Sequence, residues 1–150
     1  MEILDFFAWF IVIGGLAGIG FAAMTWAYLG AGSISVVFED PVQPPENPIE
    51  VNDVEAFDHI QHGIDAFKDK TYRDAVMEFS KAIQAAPQFA EAYHNRGLAF
   101  ANLRQDGDAA RDLARASELY MEQDNQAGIA AIRQNFEVIK ARKDETQNSK

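Results

Sequence analysis

The chain has 150 residues, 13 Lys and Arg against 23 Asp and Glu for a formal charge of −10, 48% hydrophobic residues and no cysteine. That length holds one modest domain plus an appendage and excludes a large multidomain enzyme. Without cysteine there is no disulfide, thiolate zinc site, cysteine-bound iron–sulfur cluster or cysteine nucleophile, and an acidic chain with no basic patch interleaved with aromatics argues against nucleic acid as a partner.

Charge is unevenly placed. Residues 1–50 contain six acids (Glu2, Asp5, Glu39, Asp40, Glu46 and Glu50) and no Lys or Arg. From Phe6 to Leu29 the chain is almost wholly apolar, and as a helix this stretch extends about 36 Å, enough to cross a hydrocarbon core of about 30 Å. Trp9 and Phe10 near one end, with Trp26 and Tyr28 near the other, match interfacial aromatic belts. Glu2 and Asp5 stand where a signal peptide carries basic residues, so residues 1–38 read as an uncleaved single-pass anchor. Gly14, Gly18 and Ala22, spaced by four, offer a shallow face for a partner helix in the bilayer. Every base follows the span, which places the rest of the chain on the cytoplasmic or stromal side.

The same region has a competing reading. FIVIGGLAGIGFAA followed by SISVVFE resembles the opening of a flavin- or nicotinamide-binding unit, with Glu39 as the ribose-binding acid. Ile13 occupies the first glycine's place, however, and one βαβ unit cannot cover both faces of a sheet when nothing downstream supplies further strands. A truncated dinucleotide-binding enzyme is therefore the minor alternative.

Residues 39–52 form a Pro-rich linker with Pro41, Pro44, Pro45 and Pro48. Such a segment cannot be a helix interior, and as polyproline II it reads as a semi-rigid spacer holding the next domain off the membrane.

The remaining residues contain an internal repeat. Shifting the chain by 34 places Gly63 on Gly97, Asp74 on Asp108, Ala75 on Ala109 and Ala82 on Ala116, with Phe79 meeting Leu113, Lys81 meeting Arg115 and His59 meeting Tyr93. With Tyr93, Gly97, Phe100, Ala109 and Leu113 in the second copy and Gly63, Ala75, Phe79, Ala82 and Pro87 in the first, this region resembles the tetratricopeptide repeat (TPR) family. His62 and Arg96, beside the two glycines, depart from its pattern, as does Met121 in place of the closing proline. The expected fold is all-α, with helices near 53–69, 72–86, 89–104 and 107–122 making two repeats over 53–122. Asn52 with Glu55, and Thr71 with Asp74, have capping-box spacing at two helix starts. Ile129, Ile132, Phe136 and Ile139 then form one apolar stripe, which reads as a capping helix within 123–143 or the first helix of a degenerate third repeat. Residues 144–150 read as a disordered tail.

His59 and His62, with Asp58 and Asp65 nearby, form a conceivable metal pair, but both occupy repeat positions that face a neighbouring helix. No nucleophile elbow, phosphate-cradling loop or zinc-protease motif is present. The expectation is a non-enzyme with no catalytic residue, metal, cofactor or small-molecule substrate.

The TPR resemblance implies a peptide- or helix-binding concave face on the first helix of each repeat. By helical phase its residues are Phe57, Ile60, Ile64 and Phe67, then His94, Asn95, Leu98, Ala101 and Asn102. Ile60 and Ile64 replace the Lys and Asn with which chaperone-recruiting members clamp a carboxylate, which turns the expectation towards an amphipathic helix or apolar segment. The linker around Val51, or the capping helix, is the internal element that would otherwise cover this stripe. YHNRGLAFANL followed by AARDLARASELYMEQ is similar to cyanobacterial TPR proteins, and the layout resembles thylakoid proteins that assist photosystem I assembly. The resemblance implies an adaptor that assists assembly of a membrane complex, or is a small subunit of it, through span and groove. The layout also resembles mitochondrial import receptors, which implies a receptor for basic targeting peptides.

Overall fold

The computed structural model describes residues 36–44 and 54–148, and among them every regular element is a helix. In chain order these are α1 (Val54–Lys68), α2 (Tyr72–Ala85), α3 (Ala90–Asn102), α4 (Asp106–Glu122) and α5 (Gln126–Asn148). Their bounds lie within two residues of those expected for the first four. The apolar stretch Phe6–Leu29, with Gly14, Gly18 and Ala22, lies outside the described residues, as do Asn52 and the linker from 45 to 53. Among the described residues no helix is long and apolar enough to cross a membrane.

Each helix end explains the next direction of the chain. At the end of α1, Lys70 adopts φ 60° while the Thr71 and Lys70 amides donate to the Ala66 and Phe67 carbonyls at 2.9 and 3.0 Å. The same two-bond turn recurs at Arg104, φ 63°, with Gln105 to Phe100 at 2.9 Å and Arg104 to Ala101 at 3.1 Å. It recurs again at Asp124, φ 54°. These are left-handed closures that use up orphan carbonyls and reverse the chain within a few residues. Thr71 does not form the expected capping box, because its hydroxyl turns back to the Ala66 carbonyl at 3.0 Å and makes no side-chain cap on α2.

The reversals make two helical hairpins, α1 with α2 and α3 with α4; α2 also packs on α3, and α5 on α4. Both hairpins close at the same kind of point. A methyl group on Gly63 would sit 2.5 Å from the Phe79 ring, and one on Gly97 would sit 3.0 Å from Leu113 Cγ. The 34-residue spacing is thus physical: a glycine on one helix and a large apolar side chain on the next occupy one shared volume. Phe79 and Leu113 are fully buried with Ala75, Ala82, Ala109 and Ala116, whose small side chains let the backbones approach.

The stripe on α5 turns inward as its periodicity predicts. Ile132 and Ile139 are buried, and Ile129 and Phe136 pack against the same core. The helix differs from expectation at its end, continuing through most of 144–150 to Asn148. Arg142 supplies a reason: it is buried, donates to the Ala101 carbonyl at 2.7 Å and pairs with Asp106, so the last turns of α5 are fastened to the α3–α4 corner.

Gly63→Ala should lower stability by about 1–3 kcal/mol, because the Phe79 ring has no exposed side to move towards. Gly97→Ala should cost less, since its nearest contact is a looser 3.0 Å. Thermal unfolding of the two full-length variants checks the order.

Candidate functional site

Helix α3 is buried almost from end to end. Its hydrophobic residues account for Ala90, Ala92, Leu98, Ala99 and Ala101, but His94, Asn95 and Asn102 are buried as well, at 1%, 0% and 1% exposure. A polar group removed from water is costly unless it finds a partner, so each of these three has a structural question attached.

For the two asparagines the answer is the chain's own residues 36–44, a non-helical strap that lies along α3 and bends at Val37 and Asp40. Asn102 Oδ1 accepts the Val37 and Phe38 amides, both at 3.0 Å, and its Nδ2 donates to the Phe38 carbonyl at 2.8 Å. Asn95 Oδ1 accepts the Val42 amide at 2.7 Å, and its Nδ2 donates to the Val42 carbonyl at 2.8 Å. Two carboxamides seven residues apart on one helix face grip two main-chain positions four residues apart on the strap, which runs antiparallel to α3. The spacings are compatible: about 10 Å for two helical turns, against about 12–13 Å for four fully extended residues, a span that the bend at Asp40 shortens. Val36, Phe38 and Val42 pack against the core and Pro41 is buried, while Glu39, Asp40 and Gln43 remain exposed. Burial pushes the Tyr72 phenol up, and the nearby Glu39 carboxylate adds to that shift.

The strap changes two expectations. Residues 36–38, expected as the end of the anchor, belong to the compact unit that contains the helices, which begins at Val36. Residues 39–44, expected as a spacer held in solvent, are seated on the helices because the asparagines satisfy their main chain. The element covering this face is thus upstream of the linker around Val51, and it is a non-helical segment.

The other expected groove residues divide differently. Ile60, Ile64, Phe67 and Leu98 are buried and belong to the hydrophobic core, while Phe57 is half-buried. The apolar stripe on α1 is therefore mostly interior. His94 faces α4 and α5: Asn135 Nδ2 stands 2.6 Å from its Nε2, and its Nδ1 lies 3.3 Å from the Tyr120 hydroxyl. The imidazole and phenol rings meet edge to face at 5.9 Å. Burial lowers the His94 pKa to about 4. Burial also raises Glu91 and Tyr120, the latter further through the Glu91 carboxylate.

Arg96 explains one departure from the repeat pattern. Its guanidinium makes a two-pronged pair with Asp112, Nε to Oδ2 at 2.6 Å and Nη2 to Oδ1 at 2.9 Å, and donates to Ser80 Oγ at 3.0 Å. It also lies over the Tyr93 and Phe100 rings. A charged residue stands where an apolar one is usual because it ties α3 to both α2 and α4.

His59 and His62 are joined by Glu78 rather than by Asp58 or Asp65, with one ligand atom from each of the three within 4.8 Å of the others. Glu78 is already engaged by His59 Nδ1 at 2.8 Å and Lys81 Nζ at 2.7 Å, and the Lys81 hydrogen bond holds its carboxyl below the usual range. The protein matches no family model, no curated protein and no solved structure.

Two predictions follow from these side chains. The folded His94 resists protonation down to about pH 4, whereas an unfolded histidine takes up a proton near 6.5. Stability should therefore fall as pH drops from 6.5 towards 4.5, by on the order of 2–3 kcal/mol from this group, with the raised Glu91 offsetting part of it. Thermal unfolding of the wild type and His94→Asn across this range isolates the histidine's share, which should vanish in the variant. Asp112→Ala should destabilise by about 3–5 kcal/mol by stranding the Arg96 charge, and the double variant Arg96→Met/Asp112→Leu should recover most of that loss.

Proposed function

We propose that the protein is a TPR-type interaction adaptor, anchored in a membrane through residues 6–29, that assists assembly of a membrane protein complex or is a small subunit within it. The helical domain lies on the cytoplasmic or stromal side, and the photosynthetic membrane is the setting that the resemblance to thylakoid TPR proteins favours. The module works by holding a segment of polypeptide and needs no catalytic group, metal or cofactor.

One observation carries this reading: two buried asparagines on one face of α3 present paired donors and acceptors that match the main chain of an extended peptide. That geometry recognises polypeptide as such, and flanking apolar contacts choose among sequences. It supports an adaptor for extended segments over a receptor for helical targeting peptides, because a helix has already used its own amides and carbonyls.

Full-length protein should be purified from source membranes in mild detergent beside an Asn95→Ala/Asn102→Ala variant. Co-migration with a complex on a native gel is expected for the wild type and should fall severalfold for the variant at unchanged helical content. Equal co-migration would remove the groove from the mechanism. The α1 stripe is unsuitable for such a test, because glutamate at the buried Ile60 or Ile64 would break the core.

A further inference from the structure

The proposed adaptor activity leaves open what the groove holds, and the present occupant is informative. All five polar contacts between α3 and residues 36–44 use strap main chain: the amides of Val37, Phe38 and Val42 and the carbonyls of Phe38 and Val42. The grip is therefore indifferent to strap side chains. Most of those side chains are only half-buried or exposed, with Pro41 alone fully buried, which describes a segment laid on a surface rather than built into a core. The groove side is the reverse. Asn95 and Asn102 are entirely buried, and the strap supplies every hydrogen bond recorded for their side chains. Removing the strap would hand both carboxamides to water, so any occupant of the groove has to replace those water contacts as well as the strap does.

We infer that residues 36–44 are an internal ligand that a partner displaces by presenting an extended, proline-containing segment of the same pattern. Its apolar side chains fall at the first, third and seventh positions, corresponding to Val36, Phe38 and Val42, and its proline at the sixth, corresponding to Pro41. This inference rests on the peptide-groove reading above. Competition with a tethered strap reduces the apparent affinity for the partner by the fraction of time that the groove is free. Weakening the strap should therefore tighten partner binding.

The probe is a fluorescein-labelled peptide, VVFEDPVQP, identical to residues 36–44. Its anisotropy is measured with full-length protein in detergent, as wild type and as a Phe38→Ala/Val42→Pro variant. The proline removes the amide that Asn95 accepts, and the alanine removes the Phe38 contact, while α1 to α5 are untouched. The expected result is weak binding to the wild type, at least tenfold tighter binding to the loosened variant, and loss of that gain when Asn95→Ala/Asn102→Ala is added. Circular dichroism confirms that each variant keeps its helical content. Binding equally strong to wild type and loosened variant would overturn the internal ligand and leave the groove reading standing. No binding to either, with helices intact, would overturn both. Differently tagged copies that co-purify through Asn95 and Asn102 would assign the groove to the strap of a second copy and overturn the exchange with a partner.

Discussion

A buried carboxamide has to be answered at both ends, by an acceptor for its NH2 and a donor for its oxygen, and this constraint organises the face of α3 that carries residues 36–44. An extended main chain offers a neighbouring N–H and C=O on the same residue, and Val42 answers Asn95 in just this way. A helix cannot do so in its interior, because those groups already bond to one another. Placing Asn95 and Asn102 two turns apart on α3 therefore selects the conformation of whatever lies across it before any side chain of that segment is consulted.

The grip is useful only if α3 is immobile, and the polar contacts on its other sides meet that need. Arg96 reaches Ser80 on α2 and Asp112 on α4; His94 is held between Tyr120 on α4 and Asn135 on α5; Arg142 on α5 takes the Ala101 carbonyl at the end of α3. Gly97 brings α3 against Leu113 so closely that even a methyl group would sit 3.0 Å from Leu113 Cγ. The helix is thus fixed by apolar contact and by charge-assisted hydrogen bonds, while its groove face is left to the two asparagines. Supporting a binding residue by packing that does not touch the ligand keeps the site preorganised.

The helices were legible in the sequence because their determinants are local and repeat: Gly63 and Gly97, Ala75 and Ala109, Phe79 and Leu113 recur at one interval for one steric reason. The phase of α3 also puts Asn102 in the expected groove, with Asn95 beside it. The role of the α1 stripe was misjudged, since phase assigns a residue to a face but does not say what covers it, and Ile60, Ile64 and Phe67 are interior. The strap was harder still to read. Val36, Val37 and Phe38 continue an apolar run, and Pro41 and Pro44 mark a linker, so the segment is split between two familiar compositions. Its docking depends on residues more than fifty positions away. Two signals were present nonetheless: apolar residues flanking a proline in a supposed solvated spacer, and two asparagines on or beside a face expected to hold a polypeptide segment.

The strap's own sequence follows from the same hydrogen-bond arithmetic. Donors are needed at 37, 38 and 42, where the asparagine oxygens await them, and the two residues without an N–H fall where none is asked for, Pro41 between the two grips and Pro44 beyond them. Its fixed φ disfavours a helical start for the preceding residue, so the strap enters the groove with part of its ordering already paid. Glu39 and Asp40 face solvent beside it and keep an otherwise apolar segment compatible with water. A segment that replaces this one must solve the same problem with a donor at each of these three positions, apolar groups where Val36, Phe38 and Val42 lie, and polar groups outward. Those requirements define the ligand more narrowly than hydrophobicity alone, because an apolar chain that tends to coil into a helix would leave Asn95 and Asn102 unanswered.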